Sequence, residues 1–428
     1  MNIKITKPIQ GGTVKAISSK SEAHRLLICA AFADKETFVA CPESSEDINA
    51  TVCCLTGLGA VINASNDGYR VTPVNRTALN KEKYSLDCGE SGATLRFMLP
   101  VCGALGISAE FQMSGRLPSR PLTELKNAME SHGCMIEKPT HSLNGQSLLT
   151  CSGQLKSGDY TLPGNISSQY ISGLLLALPL LGESSTIKVT GRVESRPYVD
   201  MTIEALQLFG IKIIENEPDT FVIQAGQSYN SPKKVKTGGD WSNAAFWLSA
   251  GAIGKNSITC TDIDINSKQG DKAICEILER LGAKVSYDKN TVTVSPGSLK
   301  GIEINAENTP DLVPVLAAVA AVAQGKTVIY NAQRLRIKES DRLKTVTEML
   351  TKLGADIKET NDGLIINGKE KLITGTIESH RDHRIAMTAA VISSVCTEPV
   401  EIIGADTVNK SYPRFFEDFK ALGGEWIL

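Results

Sequence analysis

Nine consecutive residues, Arg334-Leu335-Arg336-Ile337-Lys338-Glu339-Ser340-Asp341-Arg342, carry four cations interleaved with two carboxylates. Forked guanidinium groups grip oxyanions, and a carboxylate set beside them can move a proton. On its own such a run is an ordinary solvated helix face. Other segments repeat the theme. Lys20-Ser21-Glu22-Ala23-His24-Arg25 places two cations around a hydroxyl, and Gly115-Arg116-Leu117-Pro118-Ser119-Arg120-Pro121 holds two arginines in a loop stiffened by prolines. Gly164-Asn165-Ile166-Ser167-Ser168-Gln169 supplies two hydroxyls and an amide, while Asp382-His383-Arg384 and Asn409-Lys410-Ser411 add two further cations.

Helix capping explains part of this pattern. Ser and Asp at helix starts are each worth about 1 kcal/mol as N-caps. That role covers Ser242 and Asp240, and it fits Asp311 as well as a catalytic one does. Capping does not explain the cations. Lys20, Arg25, Arg96, Arg116, Arg342 and Arg384 stand at or near the starts of apolar or amphipathic stretches, where a helix dipole disfavours positive charge. Their placement makes sense if an anion lies between them and the helix ends. The set predicts a cleft for a small, highly anionic ligand.

The elements that must position these residues repeat six times. Leu58-Gly59-Ala60, His132-Gly133-Cys134, Phe209-Gly210-Ile211, Leu281-Gly282-Ala283, Leu353-Gly354-Ala355 and Leu422-Gly423-Gly424 recur about seventy positions apart. Each reads as an amphipathic helix ending on a left-handed glycine, followed by a strand. Each repeat also holds a helix apolar on every side, hence buried, starting near Lys20, Ser91, Ser167, Asp240, Pro310 and Asp382. Three repeats before and three after the polar stretch Ser231–Gly239 predict an α/β protein of two similar domains. The expected boundaries are 14–236 for the first, and 1–13 with 237–428 for the second, the active site lying in the cleft between them. The first strand is expected to pair with the C-terminal half, making the polar stretch one of two crossings.

Composition narrows the partners. A net charge of −2 argues against a nucleic-acid surface, and 42% hydrophobic with 21% charged residues is ordinary for a globular protein. No apolar run reaches the roughly 18 residues of a membrane span, and the N-terminus lacks the apolar core of a signal peptide, so a cytoplasmic protein is expected. Eleven scattered cysteines without a Cys-x-x-Cys pair read as reduced core residues. His380 and His383 suggest half a metal site, but with five histidines and no companion motif no metal is expected.

In these motifs the sequence resembles the 5-enolpyruvylshikimate-3-phosphate (EPSP) synthase family over its whole length. The resemblance rests on Lys20-Ser21 with Arg25, Gly92 followed by Arg96, Gly115-Arg116, Ser167-Ser168-Gln169, Pro310-Asp311, Lys338 to Arg342, Asp382-His383-Arg384 and Lys410. It implies two domains, each of three βαβαββ units with buried parallel helices, an inside-out α/β barrel. It also implies transfer of the enolpyruvyl group of phosphoenolpyruvate to the 5-hydroxyl of shikimate 3-phosphate, by a monomer with no metal or organic cofactor. By the resemblance, Lys20, Gly92, Arg116, Gln169, Arg342, Arg384 and Lys410 hold phosphoenolpyruvate. Lys20, Ser21, Arg25, Ser167, Ser168, Gln169, Ser195, Asp311 and Lys338 hold shikimate 3-phosphate. Asp311 is the expected base toward the 5-hydroxyl, and Glu339 the expected group for proton traffic at the methylene carbon, with Lys20 as the other candidate. Two departures stand out: Ala93 follows Gly92 where many relatives have threonine, and Arg334 stands where some relatives have an asparagine on the shikimate ring. The sister transferase acting on UDP-N-acetylglucosamine would show Lys-Asn in the first motif and a cysteine in the arginine loop; neither is present. A related repeat domain working on RNA ends would show a basic surface and a nucleophilic histidine.

Overall fold

The computed structural model describes residues 1–79, 82–138 and 147–428. All six marker glycines take positive φ, from 82° at Gly210 and Gly354 to 108° at Gly282. Only a residue without Cβ occupies that region at little cost, so each closes an amphipathic helix and turns the chain into a strand.

Among the described residues, twelve α-helices alternate in kind. Those of the first three repeats are α1 (Lys20–Ala31), α2 (Glu46–Gly57), α3 (Gly92–Leu105), α4 (Thr123–Glu130), α5 (Ser168–Ala177) and α6 (Arg196–Leu208). The second three repeats hold α7 (Trp241–Ile253), α8 (Ile274–Leu281), α9 (Val313–Ala320), α10 (Arg342–Lys352), α11 (His383–Ile392) and α12 (Phe415–Ala421). The odd-numbered helices are the apolar ones and are buried almost throughout: every residue of α9 and α11 lies inside. The even-numbered helices each precede a marker glycine.

Among the described residues the repeats build six four-stranded sheets of one order, a parallel pair followed by two antiparallel strands. In the second repeat Tyr84–Asp87 runs parallel to Ala109–Met113, which pairs antiparallel with Ser147–Gly153, which pairs antiparallel with Cys134–Glu137. The parallel pair is joined through a buried helix and the antiparallel pair is a hairpin, giving the βαβαββ unit.

Two sheets borrow their first strand from elsewhere. Gly12–Lys15, although it leads into α1, pairs parallel with Ile258–Thr261, and Lys234–Lys236 pairs parallel with Thr37–Ala40. Asn2–Lys7 completes the sixth sheet, lying antiparallel to both Val400–Ile403 and Glu425–Ile427. The chain therefore divides into one unit of Ser18–Thr237 and another of Met1–Ile17 with Gly238–Leu428. The first crossing falls after Ile17 rather than after residue 13, because Val14 and Lys15 are held in the ladder with Cys260 and Thr261. Nor is Ser231–Gly239 wholly a linker, since its centre is a strand.

Packing in the first unit is tightest where α3 meets α5. A Cβ on Gly173 would lie 2.2 Å from the Arg96 carbonyl oxygen, so the approach of the two helices requires glycine. In the second unit Trp247 of α7 stacks on Phe415 at 4.5 Å and donates through Nε1 to the Tyr412 hydroxyl at 2.9 Å. That hydroxyl donates to Asp418 at 2.7 Å, so the buried polar atoms joining α7 to α12 are paired. All eleven cysteines are free thiols, but Cys53 is exposed and Cys396 only half-buried, so these two are not core residues. Among the described residues no helix is long and apolar enough to cross a membrane.

Candidate active site

In the Ser18–Thr237 unit the predicted residues gather at the starts of α1, α3 and α5. Ser19 caps α1 by accepting from the Glu22 amide, which leaves Lys20 as the first helical residue. Its ammonium donates to Asp47 at 2.6 Å. Arg25, one turn further on, is buried: Nε donates to Thr202 at 2.8 Å, and the two terminal nitrogens donate to the carbonyls of Ser21 and Tyr198 at 2.6 and 2.8 Å. Burial pulls the Arg25 pKa down to about 10. Ser21 thus sits between two cations, with its carbonyl already engaged.

Ser91 caps α3, and Gly92 begins it. A Cβ built on Gly92 would lie 2.7 Å from Arg120 Nη1 and 2.8 Å from Arg96 Nη1, so the missing side chain makes room for two guanidinium groups. Arg96 donates to the Gln169 side-chain oxygen at 2.8 Å and to the Pro121 carbonyl at 2.9 Å. The proline-stiffened loop forms a single 3-10 turn, Leu117–Ser119, with Arg116 exposed beside it. Ser167 caps α5 by accepting from the Gln169 amide, and Ser168 is buried at the first helical position. Ser195 precedes α6 in a left-handed conformation, φ 56° and ψ 39°, and its hydroxyl does not cap the helix.

The second unit has a denser cluster. Arg342 is buried with a side-chain exposure of 1% and is surrounded by three carboxylates. Its Nε donates to Asp382 at 2.7 Å, Nη1 to Asp311 at 2.8 Å, and Nη2 to Glu339 at 2.8 Å. Asp311 in turn takes Arg384 Nη2 at 3.1 Å on its other oxygen, and Lys338 Nζ lies 3.6 Å away. Burial works against the Asp311 charge, but Arg384, Lys338 and Arg342 outweigh it and hold this carboxyl well below the usual carboxylate range. Burial likewise opposes the Arg342 charge, and Asp382, Glu339 and Asp311 overcome it and raise its pKa. Lys410 is buried at the end of the turn Ala405–Lys410.

Three expectations are corrected here. Ser242 is not a cap: Asp240 caps α7, while the Ser242 hydroxyl donates to the fully buried Asp271 and accepts from Gln269 at 2.9 Å. Asp311 is not a cap either. It lies in the 3-10 turn Pro310–Leu312 with no capping bond, and its oxygens serve the cations. The nine-residue charged run is divided in purpose. Lys338, Glu339 and Arg342 converge on or around Asp311, whereas Arg334 donates to the Glu307 carbonyl at 2.9 Å. Arg336 pairs with Asp341 at 3.1 Å, and Asp341 caps α10.

Asp47 and Asp271 escaped the sequence reading. Asp47 lies 27 positions from Lys20, and nothing in its own segment marks it as a counter-ion. Burial, with Asp311 nearby, pushes the Asp271 pKa up to about 7. Among the described residues no group of three or more His, Cys, Asp or Glu is placed to hold a metal ion. His380 lies 3.4 Å from Glu348, and His383 is buried within α11. Both halves share one chemical character. Cations are fixed in advance, by hydroxyl, carbonyl and amide oxygens around Arg25 and Arg96 and by carboxylates around Lys20, Arg342 and Arg384.

Known proteins share this sequence and fold. The model of the EPSP synthase (3-phosphoshikimate 1-carboxyvinyltransferase) family matches residues 3–419. The chain is 45% identical to a 3-phosphoshikimate 1-carboxyvinyltransferase of Clostridium kluyveri over 416 residues, covering 97% of this chain and 95% of that protein. It is 43% identical to the enzyme of the same name from Clostridium acetobutylicum, covering 100% of this chain and 99% of the relative. A solved EPSP synthase from Acinetobacter baumannii superposes with a TM-score of 0.82 at 26% identity, covering 100% of both chains.

Proposed function

The chain belongs to the EPSP synthase family, and we propose that the residues gathered in its two units are the substrate-binding and proton-transfer groups of that enzyme. It is a 3-phosphoshikimate 1-carboxyvinyltransferase with the two-domain inside-out α/β fold, working in aromatic amino-acid biosynthesis. The reaction joins the enolpyruvyl group of phosphoenolpyruvate to the 5-hydroxyl of shikimate 3-phosphate and releases phosphate.

Charge supports the residue assignment. Each substrate carries a phosphate of about −1.5 to −2 and a carboxylate, so the pair brings about five negative charges. In our reading Lys20, Gly92, Arg116, Gln169, Arg342, Arg384 and Lys410 hold phosphoenolpyruvate. Lys20, Ser21, Arg25, Ser167, Ser168, Gln169, Ser195, Asp311 and Lys338 hold shikimate 3-phosphate. Both units contribute residues to this assignment, and exclusion of water around the bound substrates would strengthen each ionic contact.

The observation that carries the mechanism is Asp311 shared among Arg342, Arg384 and Lys338. Held that firmly as an anion, Asp311 is a weak base in the free protein. Incoming phosphate and carboxylate groups compete for the same cations and loosen their hold, while burial continues to favour the neutral acid. Substrate binding therefore raises the proton affinity of Asp311 as the 5-hydroxyl must lose its proton. The hydroxyl oxygen then adds to C2 of phosphoenolpyruvate, and the methylene carbon gains a proton to give a tetrahedral intermediate. In the second step that carbon gives a proton back and phosphate departs. Glu339, aligned by Arg342 at 2.8 Å, is positioned to handle the carbon proton, with Lys20 as the other donor.

The two-unit assignment is tested by Lys20→Ala and Arg384→Ala, one from each unit. Each is expected to raise KM for phosphoenolpyruvate at least tenfold, the scale of one lost charged contact of about 1.5–3 kcal/mol, with circular dichroism unchanged. Normal kinetics in either variant would remove that residue, and its unit's cation, from the site.

A further inference from the structure

Helix α6 opens on an arginine that neither the sequence motifs nor the mechanism uses. Ser195 stands in the left-handed region at φ 56°, is 4% exposed, and is followed by Arg196 and Pro197 in the first turn of the helix. A non-glycine residue persists in that conformation only where its surroundings fix it. From within the unit, the Tyr198 amide donates to the Ser195 carbonyl at 3.0 Å, and the Tyr198 carbonyl accepts from Arg25 at 2.8 Å. The Glu194 amide donates to the Gly164 carbonyl at 3.0 Å, which ties the same turn to the segment leading to Ser167 and Ser168.

From outside, Arg196 clamps the turn to the neighbouring hairpin. Its Nε donates to Asp200 at 2.8 Å, Nη1 to Asp219 at 2.7 Å and to Glu215 at 2.9 Å, and Nη2 to the second Glu215 oxygen at 2.7 Å. The guanidinium carbon also lies 5.2 Å from the centre of the Phe221 ring. Asp219 is itself left-handed, at φ 60°, and its amide donates to Glu215 at 2.9 Å. All three of its carboxylate partners lie on its own helix or on the neighbouring hairpin, and none belongs to a residue assigned to the site. Arg196 is therefore not built as a ligand, although it adjoins a residue assigned as one. A half-buried ion-pair network near the surface contributes modestly to stability by itself, but a rigid fork joining two strained turns is well suited to fixing geometry.

We propose that Arg196 is a positioning residue for shikimate 3-phosphate, locking the Ser195 turn against the Ile213–Ile223 hairpin so that the Ser195 hydroxyl is held ready for the substrate. The proposal rests on the reading of Ser195 as a ligand, and the test separates the two. Ser195→Ala should raise KM for shikimate 3-phosphate about tenfold, as expected for one lost hydrogen bond to a charged group. Arg196→Ala should raise the same KM to a similar degree, with kcat and KM for phosphoenolpyruvate within about twofold of wild type. Arg196→Lys, which keeps the charge but not the fork, should recover part of the loss. The double variant Ser195→Ala/Arg196→Ala should be no worse than Ser195→Ala alone, since Arg196 acts through that hydroxyl. If Arg196→Ala unfolds, Glu215→Gln provides the same readout by loosening the clamp from the hairpin side, with a smaller rise in KM. An unaffected KM in Ser195→Ala would overturn the ligand reading. A raised KM in Ser195→Ala with an unaffected one in Arg196→Ala or Glu215→Gln would overturn the clamp alone, as would additive effects in the double variant.

Discussion

Gly92→Ala isolates the part of the site where space, not charge, is decisive. The added Cβ would lie 2.7 Å from Arg120 Nη1 and 2.8 Å from Arg96 Nη1, inside the distance that real Cβ atoms tolerate. Both neighbours are ends of flexible side chains, so the helix stays and the guanidinium groups move. Alanine in the first turn of α3 also gains about 0.5–1 kcal/mol over glycine in helix preference. The melting temperature should therefore change by no more than a few degrees, since about 1 kcal/mol moves a domain of this size by about 2–4 °C. Function should be less tolerant. Moving Arg96 disturbs its 2.8 Å bond to Gln169, and moving Arg120 displaces a cation beside Gly92, which is proposed to hold phosphoenolpyruvate. One charged hydrogen bond is worth about 1.5–3 kcal/mol, which corresponds to about 10–100-fold in KM for phosphoenolpyruvate. The assay is steady-state phosphate release with each substrate varied in turn, alongside thermal unfolding. Unchanged KM for phosphoenolpyruvate would refute the packing argument.

Two further perturbations address the carboxylates. Asp311→Asn should lower kcat by about 10²–10⁴, the range of general-base catalysis, while calorimetry still detects shikimate 3-phosphate binding; near-normal turnover would reduce Asp311 to a counter-ion. For Asp271, burial first, and then the nearby Asp311, lift the carboxyl to about 7. Between the ordinary carboxylate range and pH 7 the folded chain keeps a proton that the unfolded chain has lost. This group's contribution to stability therefore falls as pH rises through that window and is flat above it. Asn mimics the protonated acid, so urea unfolding should show Asp271→Asn gaining on wild type by a few kcal/mol between pH 4 and pH 8. A constant difference across that range would mean Asp271 titrates normally.

The repeat was legible because it depends on one local requirement, a left-handed residue after a helix, and glycine marks it in all six copies. Helix kind was legible for a similar reason: a stretch such as Leu174-Leu175-Leu176 has no polar side to show water, and all three leucines are fully buried. Strand exchange was only half legible. The pairing of Asn2–Lys7 with the C-terminal half follows from the need of the sixth sheet for a fourth strand. Nothing in Lys234-Val235-Lys236 tells a linker from a short edge strand, because both are polar and extended. In the site, the cations were visible as charges out of place at helix starts. Their partners were not, because a counter-ion such as Asp47 is chosen by the fold and not by spacing. Ser242 and Asp240 show the same limit. Either could cap α7, and only the position of Asp271 decides that the serine is used elsewhere.

The most direct test of the assignment is phosphate release by the purified protein from phosphoenolpyruvate with each acceptor supplied separately. Release that requires shikimate 3-phosphate, and that is absent with phosphoenolpyruvate alone or with UDP-N-acetylglucosamine, is the predicted result. Turnover with UDP-N-acetylglucosamine and none with shikimate 3-phosphate would contradict it.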